Sequence, residues 1–216
     1  MTFKSISFFF IIFHNFILYI TALKNAANKN EVDIIYILLL KEKEISDNLF
    51  SNNTGLKQIV IPSSVTSIGK NSFSGCFSLE QIKIPKSVIS IEAFAFSGCS
   101  SIRKITIPFS VRSIKDNTFN KCSSLVNITI PSSVVSIGSY SFSECSSLKY
   151  LKIPSSVISI GDFAFFDCNS LIEVSIPSSV TSIGEYAFYN CESLKNVSIP
   201  PSVTSLGKNA FARFPF

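Results

Sequence analysis

Apolar and polar positions along this chain repeat with a period of 23 residues over most of its length. In Leu79-Glu80-Gln81-Ile82-Lys83-Ile84, Ile82 and Ile84 alternate with Lys83, which predicts a short strand with one buried face. Pro85 has no N–H to give a ladder and ends that strand. Ser87-Val88-Ile89-Ser90-Ile91 is rich in β-branched residues and predicts a second short strand. Ala93-Phe94-Ala95-Phe96 predicts a turn of α- or 3₁₀-helix. Gly98 and Cys99-Ser100-Ser101 then lead back to Ile102, where the pattern restarts. Seven prolines keep the step (Pro62, Pro85, Pro108, Pro131, Pro154, Pro177 and Pro200), as do all six cysteines from Cys76 to Cys191 and the phenylalanines from Phe73 to Phe211. Chance does not produce such an array without one insertion or deletion.

A single unit cannot fold alone. Burying about seven apolar side chains gains roughly 1.5–3 kcal/mol each, while fixing each backbone residue costs roughly 1–2 kcal/mol. The balance turns favourable only when coils stack and share a core and a strand ladder, so stability becomes a sum of coil terms and neighbour interfaces. With parallel strands about 4.8 Å apart, each position of the unit becomes a column of like residues. The fold class read from this is a repeat solenoid with parallel sheet on one face, and short strands and helical or 3₁₀ turns on the other.

The array occupies residues 56–216 as seven units. One unit earlier, the register puts Leu38, Ile45 and Phe50 on the Ile61, Ile68 and Phe73 columns, with Leu39 in the proline place and Asn53 in the cysteine place. Residues 33–55 therefore read as a degenerate capping coil. At the other end Phe214 takes the cysteine place, with no polar cap behind it. Residues 1–22 form an apolar leader with Lys4 as its one charge, read as a secretory signal cleaved after Ala22 or Ala27, with an uncleaved membrane anchor as the rival. Residues 23–32 link it to the coils.

The unit Leu-x-x-Ile-x-Ile-Pro with Val-x-x-Ile-Gly-x-x-Ala-Phe-x-x-Cys, as in Leu171 to Cys191, resembles the BspA-like, bacterial-surface-antigen type of leucine-rich repeat. The resemblance implies a right-handed solenoid and a secreted or cell-surface protein that adheres to host proteins or other cells. The motif has no catalytic residue to carry over, and intracellular members exist.

Composition narrows the chemistry. The only histidine, His14, lies in the leader, so the coils hold no His-based triad, general base or zinc site. Six cysteines invite a disulfide reading. With one thiol per coil pointing the same way, buried free thiols are expected instead, and zinc would need converging ligands rather than a line. The serine columns (Ser64, Ser87, Ser110 and Ser67, Ser90, Ser113 with their equivalents) lack any activating base and read as turn and ladder hydrogen bonding. Gly69, Gly138, Gly161, Gly184 and Gly207 read as supplying a special backbone angle, although Glu92 and Lys115 stand in that column in two coils. No cofactor and no enzymatic activity are expected.

Charge separates one face from the rest. The coils carry fourteen basic and nine acidic residues. In and just before the first strand stand Lys57, Lys83, Arg103, Lys104, Lys149, Lys152 and Lys195, against Glu80 and Glu173. With Tyr150, this strand face is the first candidate binding surface, suited to an acidic protein or an anionic glycan; nucleic acid is not expected. A second candidate is aromatic. Phe94, Tyr140, Phe163 and Tyr186 share a column, and Phe163/Phe166 and Tyr186/Tyr189 would pair on one side of a helical turn. Glycosylation sequons stand at Asn52, Asn127 and Asn196. The functional expectation is an exported binding or adhesion module, with an intracellular scaffold for protein–protein interaction as the alternative.

Overall fold

A computed structural model of the protein describes residues 42–195 and 197–213. Short strands alternate along it: β1 (Glu44–Ile45), β2 (Gln58–Val60), β3 (Ser67–Ile68), β4 (Gln81–Lys83), β5 (Ser90–Ile91), β6 (Lys104–Thr106), β7 (Ser113–Ile114), β8 (Asn127–Thr129), β9 (Ser136–Ile137), β10 (Tyr150–Lys152), β11 (Ser159–Ile160), β12 (Glu173–Ser175), β13 (Ser182–Ile183) and β14 (Ser205–Leu206). All pairs are parallel and offset by one 23-residue unit, as in Ile59 opposite Ile82 and Ile160 opposite Ile183. The chain is thus a parallel-strand solenoid. Its coils are numbered here from residue 56, so that coil 2 is 79–101 and coil 3 is 102–124.

The core is a set of stacked columns. Phe50, Phe73, Phe96, Phe119, Phe142, Phe165 and Phe188 are buried, and successive rings from Phe50 to Phe211 stack with centroids 5.0–5.6 Å apart. The cysteine column beside it is also buried and free of disulfides. Each thiol donates to the carbonyl of the phenylalanine in the coil before, from Cys76 Sγ to Phe50 O (3.0 Å) to Cys191 Sγ to Phe165 O (3.3 Å). Burial, the largest cause, holds the thiols above their ordinary value, with Cys76, Cys122 and Cys191 pushed up to about 12. Asn53, in the cysteine place before coil 1, instead accepts hydrogen bonds at Oδ1 from the N–H groups of Gly55 and Leu56. The serine column ladders as expected: Ser87, Ser133, Ser156 and Ser179 hydroxyls donate to valine carbonyls of the preceding coil at 2.6–2.7 Å.

Two expectations are corrected. The Ala-Phe stretch is not helical. The N–H groups of Ala95, Ser97 and Cys99 donate to carbonyls three residues back, but those of Phe94, Phe96 and Gly98 donate to Asp116, Thr118 and Asn120 of the next coil. Every second amide is diverted between coils, so the turns cannot propagate as a helix. The diversion puts two residues per coil at positive φ, such as Asn71 (54°) with Gly75 (73°) and Tyr140 (55°) with Glu144 (58°). The Gly69 column, in contrast, supplies no such angle. Its glycines are there because backbones approach closely: a Cβ on Gly161 would lie 2.6 Å from the Ser139 nitrogen, and one on Gly69 2.7 Å from the Ile45 oxygen.

The ladders are also less continuous than one regular sheet. The three-residue strands pair as β2–β4, β6–β8 and β10–β12, while the two-residue strands form β1–β3–β5 and β7–β9–β11–β13–β14. Both ladders therefore change sheet between coils 2 and 3. The leader 1–22, the linker 23–32, Leu38, Leu39, Asn196 and Phe214 lie outside the described residues. Ile45 and Phe50 sit on their expected columns, opposite Ile68 and against Phe73.

Candidate functional site

Strand alternation places the first candidate surface. In β4, β6, β10 and β12 the middle residue points inward and its neighbours point to solvent. Lys83, Lys104, Tyr150 and Lys152 are thus exposed, Tyr150 at 58%, and Arg103, Lys149 and Lys195 are exposed just before their strand positions. They do not form one patch. Lys83, Arg103 and Lys104 occupy coils 2 and 3; Lys149, Tyr150 and Lys152 share coil 5; Lys195 stands in coil 7. Coil 4 between the first two groups presents Val126, Asn127 and Thr129. Two strand spacings, about 10 Å, separate coil 3 from coil 5, close to the Debye length of about 10 Å at 0.1 M salt. The groups overlap in field but stand as separate clusters. Glu173 lies opposite Tyr150 and dilutes the charge there.

A wide depression opens at the first group. A groove of about 1310 Å³ is lined by Glu80, Lys83, Lys86, Arg103, Lys104 and Phe109, with Ile82 and Ile84 on its floor. Lys86 and Phe109 were not singled out from the sequence. Both occupy the position after proline, which is serine in most coils, so a column-by-column search for departures would have found them. A smaller depression of about 430 Å³ lies by Glu173 and Lys195.

The second candidate is a stacked aromatic platform. Tyr140 stacks on Phe163 (4.6 Å) and Phe163 on Tyr186 (4.9 Å), while Phe166 stacks on Tyr189 (5.4 Å). The within-coil pairs also touch, Phe163–Phe166 at 5.6 Å and Tyr186–Tyr189 at 5.4 Å, and the Arg213 guanidinium lies 5.6 Å from the Tyr189 centroid. Phe163, Phe166, Tyr186 and Tyr189 are half-buried, and Tyr140 is 38% exposed. Phe94, Tyr140, Phe163 and Tyr186 take φ of 53–60°, a conformation that costs an L-residue about 1–2 kcal/mol. Coils 1, 3 and 7 place Asn71, Asn117 and Asn209 there, which bear it more easily. Stacking at about 0.5–1.5 kcal/mol per pair offsets that strain at Tyr140, Phe163 and Tyr186, while Phe94 stands apart from the stack, between Asn71 and Asn117 in its column. Of the sequons, Asn52 is exposed in a turn and Asn127 is exposed on β8.

The family model for the BspA type leucine rich repeat region matches residues 43–150 and 113–215, with six copies of the repeat. The chain belongs to the BspA-type leucine-rich repeat family. Solved leucine-rich repeat proteins share its fold. A leucine-rich repeat protein of T. pallidum is 34% identical with TM-score 0.68, over 71% of this chain and 72% of that one. One from Bacteroides ovatus is 32% identical with TM-score 0.64, over 78% of this chain and 50% of that one. A leucine rich cell surface protein of Faecalibacterium prausnitzii is 27% identical with TM-score 0.55, over 78% of this chain and 62% of that one. The chain spans half of the second protein's length and less than two thirds of the third's. No curated protein is similar enough in sequence to match.

Proposed function

We propose that this BspA-type repeat protein is a secreted or cell-surface binding module, non-enzymatic, that holds protein or anionic glycan ligands on its outward strand face. The observation that carries the reading is the exposed basic row, Lys83 to Lys195, on an otherwise uniform stack. The similarity to a leucine rich cell surface protein supports the location. Residues 1–22 as signal or anchor, 23–32 as linker and 33–55 as cap complete the proposal. No helix among the described residues is long and apolar enough to cross a membrane.

The six free thiols favour the alternative, an intracellular scaffold, because disulfides are rare in reducing compartments. Their burial accounts for them equally well outside the cell. Cell fractionation with N-terminal sequencing separates the two: a mature start near Leu23 or Asn28 supports export, and an intact Met1 in the soluble cytosol defeats it. For the binding face, the triple variant Lys83→Glu, Lys149→Glu, Lys152→Glu is expected to weaken binding to dextran sulfate and to acidic peptides about tenfold or more. Unchanged binding to both moves the site off this face.

A further inference from the structure

The interface between coils 2 and 3 differs from every other described interface. Elsewhere the N–H groups of Ile89, Val135, Ile158, Thr181 and Thr204 donate to the residue 23 earlier, and those of Gly69, Glu92, Gly138, Gly161, Gly184 and Gly207 to the residue 24 earlier. Among the described residues, Arg112 and Lys115 make neither bond. Both strand ladders are broken there, β4 from β6 and β5 from β7. The turn side remains joined: Phe94, Phe96 and Gly98 still donate to coil 3, and Phe96 stacks on Phe119. The coils are thus unladdered on their strand side alone.

The glycine column supplies the cause. At each interface the residue of this column packs on the coil before it, where glycine Cβ positions would fall within 3 Å of backbone. Glu92 over Gly69 is accommodated, with its N–H on Ile68 O at 2.9 Å, and Gly138 over Lys115 likewise, at 2.8 Å to Ile114 O. The interface between coils 2 and 3 alone has a side chain on both sides, Lys115 over Glu92. It alone loses both ladders.

We propose that Lys115 over Glu92 holds open a docking groove for an extended, acidic peptide segment of a partner protein that carries apolar side chains. This deepens the proposed function and rests on its basic face. Three features of the groove select that occupant. Lys83, Lys86, Arg103 and Lys104 face one carboxylate, Glu80, and none of the four forms an ion pair with a described residue, so the groove complements negative charge. Ile82 and Ile84 are only partly buried, unlike Ile59 and Ile61 one coil earlier, and Phe109 is 69% exposed at the rim; aliphatic side chains of a peptide cover all three, where a sulfated sugar offers only the C–H faces of its rings. The facing sides of β4 and β6 are unladdered, as are those of β8 and β10, but only beside β4 and β6 is the neighbouring ladder, β5 from β7, also broken, which leaves a crevice along which an extended segment can lie. The strands still approach within 8 Å, less than the two strand spacings of about 9.5 Å that an inserted strand needs. The peptide therefore lies over the crevice rather than between the strands. At about 1310 Å³ the groove exceeds the roughly 300–1,000 Å³ of small-molecule sites.

The test uses the full chain and a fluorescent octapeptide of alternating aspartate and leucine. Binding is expected to fall about tenfold or more in Arg103→Glu/Lys104→Glu, and to hold in Lys149→Glu/Lys152→Glu. Lys115→Gly is expected to slow hydrogen exchange at the Arg112 and Lys115 amides and to weaken the peptide about threefold or more as the groove narrows. Loss of binding in the coil 5 variant instead of the coil 2–3 variant overturns the groove while leaving the basic face in place. Equal binding of an all-aspartate octapeptide, or stronger binding of dextran sulfate, overturns the apolar-bearing peptide in favour of a glycan. Unchanged exchange in Lys115→Gly overturns the wedge. Indifference to every charge reversal overturns both the groove and the face.

Discussion

Raising the pH tests the thiol column more directly than any substitution. Each cysteine is buried and stays protonated in the fold, because burial raises it well above its ordinary value of 9.0, to about 12 at Cys76, Cys122 and Cys191. The same direction and cause apply to Cys99, Cys145 and Cys168. In the unfolded chain the thiols ionise at their ordinary value. Between pH 9 and 12 the unfolded state therefore binds fewer protons than the folded state, and stability falls as pH rises. Below pH 9 the contribution is fully present. At pH 10 an unfolded thiol is about nine-tenths ionised, which favours unfolding by about 1.4 kcal/mol per thiol. Six thiols give about 8 kcal/mol, comparable with the whole stability of an ordinary domain, about 5–15 kcal/mol.

The assay is guanidinium unfolding with reductant present, followed by far-UV circular dichroism at pH 7.5, 9 and 10. The midpoint is expected to fall already at pH 9, where each half-ionised unfolded thiol favours unfolding by about 0.4 kcal/mol, and to collapse at pH 10. The loss spreads over all coils, since each thiol sits in its own unit. Cys122→Ala serves as control: it lowers the midpoint at pH 7.5 by leaving a small cavity, yet flattens the alkaline fall by about one sixth. A midpoint constant from pH 7.5 to 10, or an alkaline fall unaltered by removing thiols, refutes the reasoning.

Phe119→Ala removes a ring that stacks on both neighbours, at 5.6 and 5.3 Å, and is expected to cost about 3–5 kcal/mol by the same unfolding assay; a loss below about 1 kcal/mol would mean that the column relaxes around the gap. Gly161→Ala sets a Cβ 2.6 Å from the Ser139 nitrogen, so neighbouring backbone must shift and the variant should be measurably less stable. Gly138→Ala with Gly161→Ala puts side chains on both sides of one interface and should expose the Ile158 and Gly161 amides to exchange, with a cost well above the sum of the singles. Additive costs and protected amides would break the link between the glycine column and the ladder.

The period read from proline, cysteine and phenylalanine was enough to place the strands, the inward residues and the unbridged thiols, because stacking enforces one geometry per column. Two local matters escaped it. The turn after Ala93 reads as helical from residue type, since nothing in Ala-Phe-Ala-Phe reveals that every second amide bonds to the next coil. The positive φ at Phe94, Tyr140, Phe163 and Tyr186 is hidden by side chains that ordinarily avoid it, although asparagine at the same position in other coils pointed to it. The glycine column was legible as special but not as to why: sequence shows that Cβ is disfavoured, and only the stacked coils show that the obstacle is the neighbouring backbone. The basic row and its division among coils 2–3, 5 and 7 followed from the period, whereas its exposure and the groove beside it required the stacked coils.

A uniform solenoid offers every ligand the same surface many times, so selectivity has to come from departures. At coils 2 and 3 three separate columns depart together: the glycine column at Glu92 and Lys115, the position after proline at Lys86 and Phe109, and the strand face at Lys83, Arg103 and Lys104. The first coincides with the loss of both ladders at one interface, while the second and third place charge and apolar surface there. The aromatic departures fall in a different segment of the coil, at coils 4 to 6, and leave the ladders of β9, β11 and β13 intact. Their strain is carried within each turn and offset by stacking across coils. The proposed docking site therefore falls at coils 2 and 3, where cationic and apolar side chains coincide with two broken ladders, and not at the platform, whose two-residue ladder is intact.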